Sequence, residues 1–437
     1  MRYHNNHVFN CLWLTMKLKS IEISGLRSIA NATLELGDFT VLIGENGSGK
    51  SSLLEAFEIL RRCAESHFLK DLHAIHGGES ALLTSGATSL TLAVKFDGTV
   101  SCFTYEIELL KKGDYLTIYK ESLLEQFRDK RAARPLIRFT REGSFAQIYV
   151  PATKQPRGTV KVTGKLLRVN AEPGQTLLSQ LSAHSPFILA PEADDLATES
   201  VSAALELKKH IENIQLHSAL DTTAAWVARA IKRESAPLRQ ARLLSDSDRL
   251  STTYDNLASV LFGLVQGSDN KVGRRLEEQL KLAFGERCKG LKFPPAGGGR
   301  VQLAAEFEGI NRPITAELLS DGQLSYIALM AAFLDGENRS LLAIDEPELH
   351  LHPALLARMV SLAEIAAKKT QVVLATHSRG VLDALKNPAT QAVLCALNHL
   401  GRTEFKRPDP ESLKLWLQNY DGIGSLIADG YGNEVFK

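Results

Sequence analysis

The sequence predicts an α/β fold with a mixed sheet, an antiparallel β part and an inserted helical subdomain. Three observations carry this. Short strand-like runs near the start lead into a glycine-rich turn and a helical stretch. The last third alternates apolar runs of strand and helix length, the pattern of a parallel sheet covered on both faces. Between them, the apolar spacing changes from two residues to three and four.

Taken in order, KLKSIEIS from Lys17, ATLEL from Ala32 and the apolar FTVLI from Phe39 read as three short strands. The helical SSLLEAFEILRRCAE follows a glycine-rich loop. Thr88 to Leu124 reads as further strands, with turns at Asp97-Gly98 and Gly113-Asp114, and Ile137 to Tyr149 and Thr159 to Val169 continue that character. This first part is expected to span 16–189. Helical periodicity in ESVSAALELKKHIENIQL, TTAAWVARAIKR and NLASVLFGLVQ marks an insertion over 190–290. Pro294-Pro295 and Gly297-Gly298-Gly299 punctuate its exit, and the second half of the fold is expected over 291–437.

The 437 residues are 44% hydrophobic, enough for a sizeable core. Lys and Arg number 51 against 50 for Asp and Glu, so whole-chain charge favours neither nucleic acid nor membrane. Five scattered cysteines without metal-ligand spacing suit reduced thiols in the cytoplasm. No apolar run approaches the roughly 20 residues that span a bilayer, and the start lacks signal-peptide character. Residues before Met16 read as an extension or a misassigned start.

Gly44, Glu45, Asn46, Gly47, Ser48, Gly49, Lys50 and Ser51 match GxxxxGK[ST] between an apolar strand and a helix, with Ser52 following. Such glycines let backbone N–H groups turn toward phosphate oxygens; Lys50 then reaches the β/γ-phosphates and Ser51 ligates Mg²⁺. The apolar run Leu341 to Ile344 ends in Asp345 and Glu346, which would hold the metal shell and polarise the attacking water. Leu319-Ser320-Asp321-Gly322-Gln323 places a serine and a glycine at a helix start, where they could offer a hydroxyl and N–H groups to a phosphate or simply cap the helix. His377 closes the strand QVVLA beside the acids. His350 and His352, two apart in a loop, are read as part of the loop after the acidic strand, with metal binding as the alternative.

In this order the P-loop, LSDGQ, LLAIDEPELHLHP and ATHS resemble ABC-type P-loop NTPase heads, specifically the soluble SMC/RecF/OLD-like ATPases, over Met16–Ser51 and Ala316–Leu385; DNLASVL at Asp255 is similar more weakly. Lys50 and Ser320 stand 270 residues apart (320 − 50), a separation that excludes transporter subunits. The resemblance implies a head built from both ends of the chain, ATP and Mg²⁺ as cofactors, Glu346 as catalytic base with His377 and Lys50 assisting, and Ser320, Gly322 and Gln323 acting on the nucleotide of a second copy in a homodimer or higher homo-oligomer. LSDGQ departs from LSGGQ at Asp321, and neither a Q-loop glutamine nor an adenine-stacking aromatic is assigned. Sixty residues follow His377 (437 − 377), too few for a Toprim nuclease domain, so any cutting is expected from another polypeptide.

Two functions stay open. One is a sensor or scaffold of an anti-phage system, similar to the ATPases of Septu, PARIS or retron modules, working with a separate effector protein. The other is a DNA-repair or chromosome-maintenance ATPase. Arg128 to Arg168 holds eleven basic and two acidic residues, with Arg131, Arg134, Arg138 and Arg141 among them. That stretch could track double-stranded DNA, or it could be a solvated strand face or a dock for an acidic partner.

Overall fold

The computed structural model describes residues 16–99, 101–128, 135–151, 164–181, 195–231, 234–244, 249–266, 270–334, 339–420 and 422–436. The opening alternation becomes β1 (Lys17–Leu26) and β2 (Ile29–Glu35), which join β4 (Ser89–Asp97), β5 (Ser101–Lys112), β6 (Tyr115–Phe127), β7 (Leu136–Glu142), β8 (Phe145–Pro151) and β9 (Gly164–Asn170). They form an eight-stranded antiparallel sheet in the order β2-β1-β4-β5-β6-β7-β8-β9.

The third strand of the opening, β3 (Phe39–Ile43), goes elsewhere. With β10 (Ile214–His217), β16 (Leu341–Asp345), β17 (Gln371–Thr376), β18 (Ala392–Leu397) and β19 (Thr403–Lys406) it forms a second sheet of order β10-β16-β17-β3-β18-β19. All neighbours in it run parallel except β18 and β19. An N-terminal strand thus sits between two C-terminal ones, so this sheet draws on both ends of the chain, as the resemblance implied. Between them the chain also makes β11 (Arg242–Leu243), β12 (Cys288–Lys292), β13 (Arg300–Val301), β14 (Ala304–Phe307) and β15 (Ile314–Thr315), in two small antiparallel sheets.

The central strands are apolar throughout because both faces are covered. Phe39, Val41 and Ile43 join Leu342, Ile344, Val372 and Leu374 in one core, with the helices Asp321–Leu334 and Pro353–Ala366 packed on them. Leu42, Leu341, Ala343, Val373 and Ala375 face the other core, shared with the P-loop helix Lys50–Arg62 and the antiparallel sheet. Successive side chains of a strand point to opposite faces, so each strand stitches the two cores together. Gln371 fastens the sheets at one corner: its amide accepts from Leu18 N (2.7 Å) and donates to Leu18 O (2.9 Å) and Gly37 O (3.2 Å).

The stretch 190–290 is not purely helical. It holds the helices Asp195–Glu212, Leu257–Gln266 and Asn270–Phe284, but also β10, which pairs Ile214–His217 with Leu341–Ile344 at the edge of the central sheet. Four residues behind a long helix take strand form because a sheet edge pairs their backbone, a tertiary effect that periodicity does not encode.

Candidate functional site

Parallel register assembles the site. Asp345 lies opposite Ala375, and Thr376 opposite Ile43, so β16, β17 and β3 end level with one another. Asp345 and Glu346, Thr376 and His377, and the loop from Gly44 therefore leave the sheet at one carboxyl edge, where open α/β sheets bind ligands.

The loop needs its glycines at two close approaches. A Cβ on Gly44 would lie 2.3 Å from Cys395 O. Gly49 has φ 105°, and a Cβ there would lie 2.2 Å from Thr403 Oγ1. Thr403, almost fully buried on β19, has its hydroxyl within hydrogen-bond distance of Ser48 O (2.9 Å) and Ser28 Oγ (2.8 Å). Gly49 starts the helix without a side-chain cap, which leaves its first N–H groups to a ligand. Glu45, Asn46, Gly47 and Ser51 are exposed, whereas Ser48 and Ser52 turn inward. Lys50 Nζ donates to Gly44 O (2.7 Å) and Glu45 O (3.0 Å), so the ammonium spans its own loop.

Ser51 Oγ donates to Asp345 Oδ2 at 3.2 Å, joining residues 294 apart in sequence. The other oxygen, Oδ1, is buried with no hydrogen-bond partner among the described residues. Burial, followed by the charges of Glu346 and Glu348, pushes the Asp345 carboxyl up, against the Ser51 hydrogen bond and Lys50. A hydroxyl, an orphaned carboxylate oxygen and surplus negative charge are the hard-oxygen set that suits Mg²⁺. Ser51 and Asp345 would hold it.

Glu346 has φ 47°, a conformation that is uncommon for a long side chain and recurs at functional sites. Its N–H donates to Ala375 O (2.8 Å), and its Oε1 is 3.4 Å from His377 Nδ1. Glu348, which sequence reasoning passed over, lies at the same distance from Nδ1. Its only signal was a third acid closely following Asp345 and Glu346.

At the start of the helix Asp321–Leu334, Ser320 Oγ accepts from Gln323 N (3.2 Å) and Gln323 Oε1 accepts from Ser320 N (3.1 Å). This capping box explains the Ser-x-x-Gln spacing. Both residues bond each other rather than the P-loop among the described residues. Gly322 is required locally: a Cβ there would lie 2.8 Å from His350 O. Asp321 pairs with Arg239, a buried arginine that sequence reasoning did not single out. His352 Nδ1 accepts from Ala354 N (3.2 Å) as a helix cap, and no group of three or more His, Cys, Asp or Glu among the described residues could hold a metal.

The basic stretch must be corrected in part. Arg138 is 5% exposed and its guanidinium bonds Glu125 Oε2, with Nε at 2.6 Å. Arg141 is 3% exposed and donates to Gly143 O, Glu172 O and Gln175 O. Arg128 pairs with Asp97, and the Arg168 guanidinium lies 4.8 Å over the Phe145 ring. A guanidinium already committed to a buried carboxylate cannot also contact a phosphate backbone, so Arg138 is removed from any such role. Lys130, Arg131, Arg134, Lys154, Arg157 and Lys161 lie outside the described residues. No helix among the described residues is long and apolar enough to cross a membrane.

Two family models match the chain. One, described as "AAA ATPase domain", covers residues 16–278. The other, "AAA domain, putative AbiEii toxin, Type IV TA system", covers 186–383. No curated protein matches. Similar solved structures include an SMC head bound to the C-winged helix domain of ScpA, at 12% identity and a TM-score of 0.47 over 90% of this chain and 99% of that one. The SMC head domain from Thermotoga maritima has 14% identity and a TM-score of 0.40 over 90% and 99%. An SMC head with an extended coiled coil, bound to the C-terminal domain of ScpA derived from Pyrococcus furiosus, has 14% identity and a TM-score of 0.43 over 92% and 99%. The first family model spans more than half of a chain whose P-loop, acidic strand and histidine loop meet at one sheet edge, and the chain belongs to the AAA ATPase domain family.

Proposed function

We propose that the chain binds ATP with Mg²⁺ and hydrolyses it between two copies of itself, and that this cycle serves as the sensor or scaffold of an anti-phage system whose effector is a separate protein. The observation that carries the catalytic part is the Ser51–Asp345 contact, with Asp345 Oδ1 buried and unpartnered. Mg²⁺, when bound there, supplies charge neutralisation for the phosphates. Lys50 and the N–H groups around Gly49 would bind the phosphate chain, and Glu346 would take a proton from the attacking water. Ser320, Gly322 and Gln323 of one copy would complete the site of the other; within one chain Ser320 and Gln323 bond each other. Supporting the defence part is the toxin–antitoxin description of the family model over 186–383.

Direct action on DNA is the second reading. It is favoured by the basic excess in Arg128–Arg168, now reduced to residues other than Arg138 and Arg141. The test is the steady-state ATPase rate with and without linear duplex DNA at one stated salt concentration. Turnover indifferent to DNA supports the sensor; clear stimulation transfers the assignment to a DNA transaction. No turnover under either condition refutes the catalytic part.

A further inference from the structure

The loop after β16 and the loop after β17 leave the sheet side by side, and one side chain ties them. Glu348 is 9% exposed. Its Oε1 accepts from Thr376 Oγ1 (2.5 Å), His377 N (3.0 Å) and Ser378 N (3.2 Å). The same oxygen is 3.4 Å from His377 Nδ1, and Glu346 Oε1 is equally far from that nitrogen. Glu348 Oε2 is buried with no hydrogen-bond partner among the described residues.

We propose that Glu348 is the positioning residue of His377: it fixes the loop Thr376–Ser378 by three hydrogen bonds and, with Glu346, turns the Nδ1 edge of the ring toward carboxylate. This deepens the ATPase reading and rests on it. Pro347 and the positive φ of Glu346 bend the chain so that Glu348 returns beneath the end of β17. Nδ1 then lies 3.4 Å from an oxygen of each carboxylate, and Nε2 is the ring atom left for a phosphate oxygen.

A carboxylate that served only to cap the loop would be expected to spread its donors over both oxygens, since an unpaired buried oxygen is costly. Here all three donors converge on the oxygen beside His377. Thr376 completes the clamp, its hydroxyl accepting from Ser378 N at 2.9 Å while donating to Glu348. Glu348 makes its contacts through the histidine loop, so its effect on turnover passes through His377.

The test compares the wild type, Glu348→Gln, His377→Ala and the double variant, with ATP affinity measured separately by a fluorescent ATP analogue. Affinity should stay within about 3-fold, and kcat should fall ~10-fold or more in each single variant. The double variant should be no slower than the slower single one, because both changes remove one function. Losses that multiply, or a Glu348→Gln enzyme with wild-type kcat, would overturn the proposal. A second readout is independent of turnover: long-range ¹H–¹⁵N spectra of ¹⁵N-histidine protein, with His377 assigned by its loss in His377→Ala. The wild type should carry the Nδ1 hydrogen, and Glu348→Gln should change that pattern. An unchanged His377 signal would overturn the positioning role even if the wild type proved inactive on ATP, an outcome that by itself counts against the ATPase reading alone.

Discussion

Arg239 reaches 82 residues along the chain to place its guanidinium 2.5 Å from the Asp321 carboxylate. On the way it donates to Thr222 O (2.8 Å), Ala316 O (2.7 Å) and Leu319 O (2.8 Å). The aspartate that departs from LSGGQ therefore has a partner in the same chain, and the mid-chain segment holds the signature turn in place.

Replacing Arg239 with Ala would leave those carbonyls unpaired in the core, at a cost of about 3–5 kcal/mol. Lysine cannot reproduce a planar fork and should rescue little. Asp321→Ala, on the half-exposed side of the pair, should cost on the order of 1 kcal/mol. Urea unfolding of the three variants checks the order, and near-equal losses would remove the anchoring role.

Glu346→Gln should bind ATP and turn it over ~100-fold more slowly or worse, accumulating a paired species seen by size-exclusion chromatography with ATP. Lys50→Ala should lose both turnover and pairing. Undiminished turnover in Glu346→Gln would reassign the base.

Gly49→Ala forces a methyl group against Thr403 in a backbone conformation that alanine disfavours. Nucleotide binding should weaken by ~10-fold or more, an order-of-magnitude expectation from strain of 1–3 kcal/mol. Pairing it with Thr403→Ala should restore part of the loss, measured by titration with a fluorescent ATP analogue.

Arg138→Ala should destabilise the fold by about 3–5 kcal/mol, because Glu125 would remain buried and unpaired. Any loss of DNA binding in this variant should follow unfolding and vanish where the protein is folded. Retained stability with weakened binding would restore Arg138 as a phosphate contact.

Acid should unfold the protein through its buried histidines. Burial, reinforced for His217 by Arg339, lowers His217 to about 3, and burial lowers His210 to about 4. Folded values below the unfolded value mean that their contribution is complete above about pH 6.5 and is lost as pH falls toward 4 and 3. For His210 alone this is on the order of 3 kcal/mol. Glu121 acts in the opposite sense: burial raises it to about 7, so its contribution is complete below about pH 4.5 and is lost as pH rises through 7. His217→Phe, which keeps an aromatic ring beside Tyr254, should move the acid unfolding midpoint to lower pH, as followed by circular dichroism.

The P-loop, the acidic strand and His377 were legible because each is a contiguous motif at a strand end, where local spacing and sheet register say the same thing. The apolar runs of β3, β16 and β17 marked each as a buried strand, and the two-ended sheet was implied by the resemblance those motifs carry. Glu348 was not, because its meaning lies in backbone N–H groups 29 and 30 residues further on. Arg239 sat in RESAPLRQAR, which reads as ordinary polar surface until three distant carbonyls close around it. The basic stretch misled because counting charge along a strand ignores which face each residue takes. Arg141 lies across from Glu121 on the neighbouring strand, inside the sheet's covered side.

The place of β3 between β17 and β18 bears on the order of events during synthesis. The strands that flank β3 on either side are translated more than 300 residues after it. Until then β3 has two open edges and an apolar face on each side, a segment prone to wrong pairing. Closing the sheet joins contacts more than 300 residues apart, so assembly should be slow and late. A nascent fragment that carries Lys50 but stops before β16 lacks Asp345 and His377, so nucleotide turnover would begin only once β16 and β17 have joined the sheet.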